Sequence, residues 1–260
     1  VVIAPPKTQL IVGGYVFQNT AIETIVFPSG VVEIGNYAVS SCQNLKHIHI
    51  QEKTAKLGEN LVYLDRTLES VVIEDSELCF VNCASDYAII QRSGKNHHIG
   101  TFKFENNIVT STGSESKNFR LIGGYSTDRK IGTVVTDFFV NRNTFHNTCT
   151  SGFMSVAGIE DEYYCTYNLF VVPLTKNLEL LTVYKPGETR IDPQSGECIS
   201  NYFYSGTEFI WNRGSTYQGN LSRAGSPVKL SVSPLSSIWD PANGKFGAYS
   251  FTLAGEGDAP

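Results

Sequence analysis

Arg142 stands between Asn141 and Asn143 in the stretch Ile131 to Thr150, with Lys130 just before it and His146 inside it. Lysine and arginine can act as a base or clamp an anion, and histidine titrates near neutrality, so these three are the candidate acid–base set. With Arg129, Arg120 and Lys103 they would make a basic strip suited to an acidic glycan, if the fold lines them up. The plainer alternative is a set of solvated cations on outward strand faces. Trp211 and Tyr204, with Arg142, are the candidate substrate-binding residues, because flat rings pack against the C–H faces of pyranoses. Trp239 is read instead as packing a C-terminal cap onto the last strands. Glu160-Asp161-Glu162 offers carboxylate oxygens of the kind Ca²⁺ takes, although three adjacent acids commonly form a solvated loop. His97-His98 is read as part of a surface loop, and His47 and His49 as outward residues flanking Ile48. No nucleotide loop or G-x-S-x-G elbow occurs, and no cofactor is required; Ca²⁺ is the one ion these groups could take.

The elements that must position these residues are short strands. Asn143-Thr144-Phe145 belongs to a recurring unit, also seen as Asn107-Ile108-Val109, Asn168-Leu169-Phe170 and Asn201-Tyr202-Phe203, with gaps of 36, 25 and 33 residues. Imperfect repeats of this length, each a strand, a turn and a strand, point to a β-solenoid. The asparagine would sit at a tight turn, tolerate left-handed dihedrals and bond the asparagine one rung away. The apolar residue two places on would fill the interior. Ser76 takes the asparagine's place in an earlier rung. A second repeat precedes these units: Ile22-x2-Ile25-x-Phe27, Leu45-x2-Ile48-x-Ile50 and Leu68-x2-Val71-x-Ile73, spaced by 23 residues. Its turns also match, Val12-Gly13-x-Tyr15-x-Phe17 against Ile34-Gly35-x-Tyr37-x-Val39, with Leu57-Gly58 in the third copy. Segments 94–98, 110–117, 123–130, 158–162 and 188–198 are expected to be loops or excursions from the coil. No amphipathic helix longer than two turns is expected.

The 23-residue units, with their Cys42-x2-Leu45 step, resemble the leucine-rich repeats of BspA-type bacterial surface proteins; the same spacing fits the first rungs of one continuous coil equally. The C-terminal run Ser233-Pro234-Leu235, Asn243-Gly244-x-Phe246 and Gly257-Asp258-Ala259-Pro260 resembles the closing segment of secreted Bacteroides β-helix domains. Leu235 replaces the usual aromatic, and Ala259 is inserted before Pro260. That family is similar to the pectate-lyase and chondroitinase-type right-handed parallel β-helices. The resemblance implies a lyase chemistry in which Lys or Arg removes a proton α to a uronate carboxylate. No Lys/Arg pair here stands at a motif that carries the role over residue by residue.

The expected fold is therefore all-β: a single-domain β-solenoid, most simply a right-handed parallel β-helix. Residues 1–9 are an extended lead-in, 10–225 the solenoid (10–75 leucine-rich-repeat-like), and 226–260 a capping segment. The 260 residues carry 17% charged side chains and a net charge of −5, so a nucleic-acid partner is not expected. No run reaches the roughly 18 apolar residues of a membrane span. The six cysteines lack metal-type spacing and are expected as buried thiols rather than disulfides. A chain opening on Val1 reads as an excised portion of a longer precursor, with further domains N-terminal to it, though a cloning choice would look identical. The function expected is a secreted or surface protein that binds a polysaccharide or cell-surface glycan without catalysis. A polysaccharide lyase on an acidic glycan and an adhesin or phage-type fibre protein are the alternatives.

Overall fold

The computed structural model describes residues 9–51, 56–64, 68–80, 87–92, 97–111, 119–123, 133–146, 156, 158–171, 178–182, 190–191, 194–204 and 209–213, and five two-residue strands beyond them. Three parallel sheets wind around one interior, and the described residues include no helix. Sheet A runs through Thr24–Phe27, His47–Ile50, Leu68–Glu74, His97–Glu105, Thr133–Asn141 and Gly158–Thr166, then continues into Arg190–Ile191 and Ser195–Cys198. Sheet B begins with Leu10–Val12 and Val31–Ile34 and passes through Ile108–Ser111, Thr144–His146, Leu169–Val171 and Tyr202–Tyr204. Sheet C holds Val39–Ser40, Val62–Leu64, Tyr87–Arg92 and Phe119–Gly123, and Leu178–Thr182 pairs with Phe209–Arg213 later in the chain. The chain visits A, B and C in turn, so each strand pairs with its counterpart one coil away. This is an all-β solenoid. The strand Leu68–Glu74 pairs with His47–Ile50 on one side and His97–Glu105 on the other, so the 23-residue units run into the asparagine-marked ones without a break.

Alternation along sheet A builds the core. Ile25, Ile48, Val71, Phe102, Phe138 and Tyr163 form one inward column, and Phe27, Ile50, Ile73, Phe104, Val140 and Cys165 the next; all are buried. The register expected from the 23-residue spacing is thus the register of the fold. Each such side chain contributes roughly 1.5–3 kcal/mol when fully buried. Phenylalanines stack along the axis, with centroids 5.5 Å apart for Phe102 and Phe138 and 5.1 Å for Phe145 and Phe170.

The turn from sheet A to sheet B explains how rungs of unequal length stay in step. Asp75, Asn106, Arg142, Tyr167 and Ser200 all have left-handed φ, from 52° to 57°. Each is followed by a buried polar residue: Ser76, Asn107, Asn143, Asn168 and Asn201. The left-handed residue is therefore the one before the asparagine, not the asparagine itself as the sequence suggested. That frees the asparagine side chain for the ladder. Asn143 Oδ1 accepts from Asn107 N at 2.9 Å and Asn107 Nδ2 at 3.2 Å; Asn168 Oδ1 accepts from Asn143 N and Nδ2, both at 3.0 Å. Asn201 Oδ1 repeats this with Asn168, at 3.1 and 2.9 Å. Ser76 N donates to Asn107 Oδ1 at 3.0 Å, the replacement expected of it. Each remaining amide proton goes to a backbone carbonyl, Nδ2 of Asn143 to Phe104 O at 2.8 Å. Along this corner the steps are 31, 36, 25 and 33 residues, yet the corner keeps its form. The extra residues go elsewhere in each coil.

Glycines act where coils touch. A Cβ on Gly35 would stand 2.5 Å from Gly14 N, and one on Gly100 2.5 Å from Glu69 O. Gly35 and Gly58 in the early turns thus reflect close approach of backbones, whereas a Cβ on Gly13 would meet nothing within 4 Å.

Several expectations fail locally. Residues 158–162 are not an excursion but the start of the strand Gly158–Thr166, with a bulge opposite Val135–Asp137 that absorbs one extra residue. His97 and His98 open a strand; His97 is buried, and His98 lies 2.8 Å from Thr136 Oγ1. Within 188–198, the strands Arg190–Ile191 and Ser195–Cys198 pair with Gly158–Thr166 rather than forming a loop. Cys42, Cys79, Cys165 and Cys198 are buried thiols outside any disulfide, as expected; Cys83 and Cys149 lie outside the described residues. Of the capping segment, the structure describes Val228–Lys229 on sheet B and an antiparallel pair, Trp239–Asp240 with Lys245–Phe246.

Candidate functional site

The outward residues of sheet A form rows that cross the coils. His49, Val72, Lys103, Phe139, Tyr164 and Glu197 make one row of in-register partners. Two residues upstream, Thr101, Asp137, Glu162 and Ser195 make a second. Phe138 and Tyr163 point inward, so alternation places Asp137, Phe139, Glu162 and Tyr164 on the outer face, where all four are half-buried. The Phe139 and Tyr164 rings stack with centroids 5.6 Å apart and planes 14° apart. Two rings and two carboxylates thus occupy neighbouring positions on a rigid sheet.

Beside the rings lies a polar network. Lys103 Nζ is 3.0 Å from Glu74 Oε2 and 3.1 Å from Glu105 Oε2, and His49 Nε2 is 3.2 Å from Glu74 Oε1. Asn141 Nδ2 donates to Glu105 Oε1 at 2.8 Å, and Asn141 Oδ1 accepts from Thr166 N and Oγ1. The Lys103 hydrogen bond lowers the Glu74 pKa below the ordinary carboxylate value, against partial burial, which raises it; His49 lowers it further. Hydrogen bonds to Glu74 and Glu105 raise the Lys103 pKa. This lysine is a charged, doubly held ammonium and a poor base. A shallow groove of about 290 Å³ is lined by Ser29, Gln51, Glu74 and Asp75.

Among the described residues, those singled out from sequence lie on separate elements. Arg142 is exposed at the A–B corner, where its left-handed backbone makes the turn before Asn143. His146 lies on sheet B with Nδ1 3.0 Å from Thr110 Oγ1; burial lowers its pKa and favours the neutral ring. Tyr204 is on a sheet B strand and Trp211 on the strand Phe209–Arg213, which is not part of sheet B. Lys130 and Arg129 lie outside the described residues. Arg120 is on sheet C and Lys103 on sheet A, so these two do not share a strip with Arg142. Glu160, Asp161 and Glu162 span the bulge, and no metal-type cluster of His, Cys, Asp or Glu occurs among the described residues.

Sequence reasoning missed Phe139 and Tyr164. The signal was present: Thr133 to Asn141 alternates, and once Phe138 is inward, Phe139 must be outward. Two aromatics at matching repeat positions, Tyr15 and Tyr37, were also in view. Tyr15 and Tyr37 stack at 5.3 Å, and Tyr37 meets Tyr63 edge-on at 5.6 Å.

With this geometry described, comparison with known proteins adds one likeness. Residues 8–126 match, in six copies, the family described as BspA type leucine rich repeat region. No curated protein and no solved structure matches the chain. The matched span covers the 23-residue coils and continues through the first asparagine-marked turn at Asn107.

Proposed function

We propose that this chain is a secreted or surface-displayed binding protein of adhesin type, which holds a glycan without cutting it on the outer face of sheet A. The observation that carries the reading is the Phe139–Tyr164 pair, two parallel rings on a rigid face with hydrogen-bonding side chains beside them. Ring stacking supplies affinity for the C–H faces of sugars, and Thr101 and Ser195 on the same face supply hydroxyl partners. The likeness of residues 8–126 to a repeat family of surface proteins supports the location. A lyase reading gains no support from Lys103, which is tied to two glutamates on sheet A.

The test is binding of the purified chain to an array of immobilised polysaccharides, with Phe139→Ala and Tyr164→Ala beside it. Retention on a glycan that drops in both variants, with folding retained, supports the reading. Unsaturated products from a uronate polymer would replace it with the lyase, and absence of binding across the array would leave a structural role.

A further inference from the structure

We infer that the glycan recognised by this face carries protonated amines, as in a de-N-acetylated amino-sugar polymer; the inference rests on the glycan reading above and adds the ligand's charge. Asp137 and Glu162 are register partners, and each stands two residues from a ring, Phe139 or Tyr164, on the same outer face. Glu197 follows Tyr164 in the ring row. Two described cations lie in these rows: Lys103, held by Glu74 and Glu105, and Arg223, the register partner of Glu197 one coil beyond it. Asp137 and Glu162 thus set negative charge beside the two rings.

Three physical consequences point the same way. A carboxylate polymer approaching this face would meet like charge on Asp137 and Glu162, which disfavours the acidic glycan considered from sequence. A cation over an aromatic face is attracted by the ring quadrupole, and a neighbouring carboxylate adds to that attraction. Coils repeat about every 4.8 Å, so a ligand lying along the axis meets one ring and one carboxylate on each of these two coils. A polymer with a flat sugar and an amine in each repeat matches both features. A neutral glycan would lack the charge that the carboxylates attract, and a lysine-rich peptide would lack the flat sugar that packs on the rings.

The experiment is calorimetric titration of the full chain with four probes: a glucosamine hexamer, the N-acetylated hexamer, polygalacturonate and polylysine. The glucosamine hexamer should bind roughly tenfold tighter than its acetylated form, a gap the size of two modest exposed charge contacts. That gap should shrink as salt is raised. The double variant Asp137→Asn, Glu162→Gln should bring the glucosamine hexamer down to the acetylated level, with the fold retained by urea unfolding. Equal binding of the two hexamers overturns the charge inference while the glycan reading survives, and preference for polygalacturonate overturns it too. Polylysine binding as tight as the hexamer's and indifferent to Phe139→Ala overturns it in favour of a basic protein partner. Binding of no saccharide sinks the glycan reading itself, and this inference with it.

Discussion

Replacing Asn143 with alanine should cost about 1–3 kcal/mol, the penalty of leaving a buried polar group without its partner. The side chain is 1% exposed, so water cannot easily substitute. Its Oδ1 accepts from Asn107 N, and alanine leaves that amide with no acceptor; Asn107 Nδ2 retains Ile73 O at 2.9 Å. Its Nδ2 donates to Phe104 O and Asn168 Oδ1, and the latter keeps the Asn143 backbone N–H. One orphaned amide and one weakened carbonyl put the cost in the upper part of that range. Asn143→Asp should be no milder near neutral pH, because it keeps the acceptor but sets a buried carboxylate against Asn168 Oδ1. Urea unfolding gives the global value. Hydrogen exchange locates the damage, since coils of a solenoid open in part and not only together. Protection should fall first at residues 107–109 and 144–146, while the exposed control Asn44→Ala changes nothing. An unchanged midpoint and unchanged exchange for Asn143→Ala would refute the ladder as a source of stability.

Gly35→Ala should destabilise by roughly 1–3 kcal/mol, read by urea midpoint, because its Cβ meets the Gly14 backbone at 2.5 Å and neither coil can recede cheaply. Ile48→Ala, in the middle of an inward column, should cost about 2–5 kcal/mol by the same assay. The Glu74–Lys103 pair is about a third exposed and should contribute under about 1 kcal/mol. Glu74 is depressed in the fold, so its share is present above the ordinary carboxylate range and lost as pH falls through its folded value; Lys103 is raised, so its share is present at lower pH and lost as pH rises through its folded value. Glu74→Gln should flatten the acid limb of stability against pH, measured by thermal unfolding.

The coil was legible where one residue type has one job. Ile25, Ile48 and Val71 recur at equal spacing, so their column follows from period alone, and the Asn107, Asn143 and Asn168 turns announce themselves because the ladder tolerates few substitutes. The bulge at Glu160–Asp161 was not legible: an acidic run is what a solvated loop also looks like, and only the inserted residue opposite Val135–Asp137 distinguishes the two. The candidate site was missed for a different reason. Attention to rare types, Trp211 and Arg142, favours residues on separate elements, whereas Asp137 and Glu162 become neighbours only when a 25-residue coil closes. Spacing within a strand is visible in a sequence; adjacency across coils of unequal length depends on where each insertion leaves the sheet.

The central claim is that the outer face of sheet A binds a glycan through Phe139 and Tyr164. Titration of the double variant Phe139→Ala, Tyr164→Ala with the saccharide that wild type binds tests it most directly, with urea unfolding alongside. The account predicts at least roughly tenfold weaker binding, the worth of about 1.4 kcal/mol. It also predicts a loss of stability near the roughly 0.5–1.5 kcal/mol of one aromatic pair, with the fold intact. Undiminished binding by the folded variant would contradict it and move the site elsewhere on the solenoid.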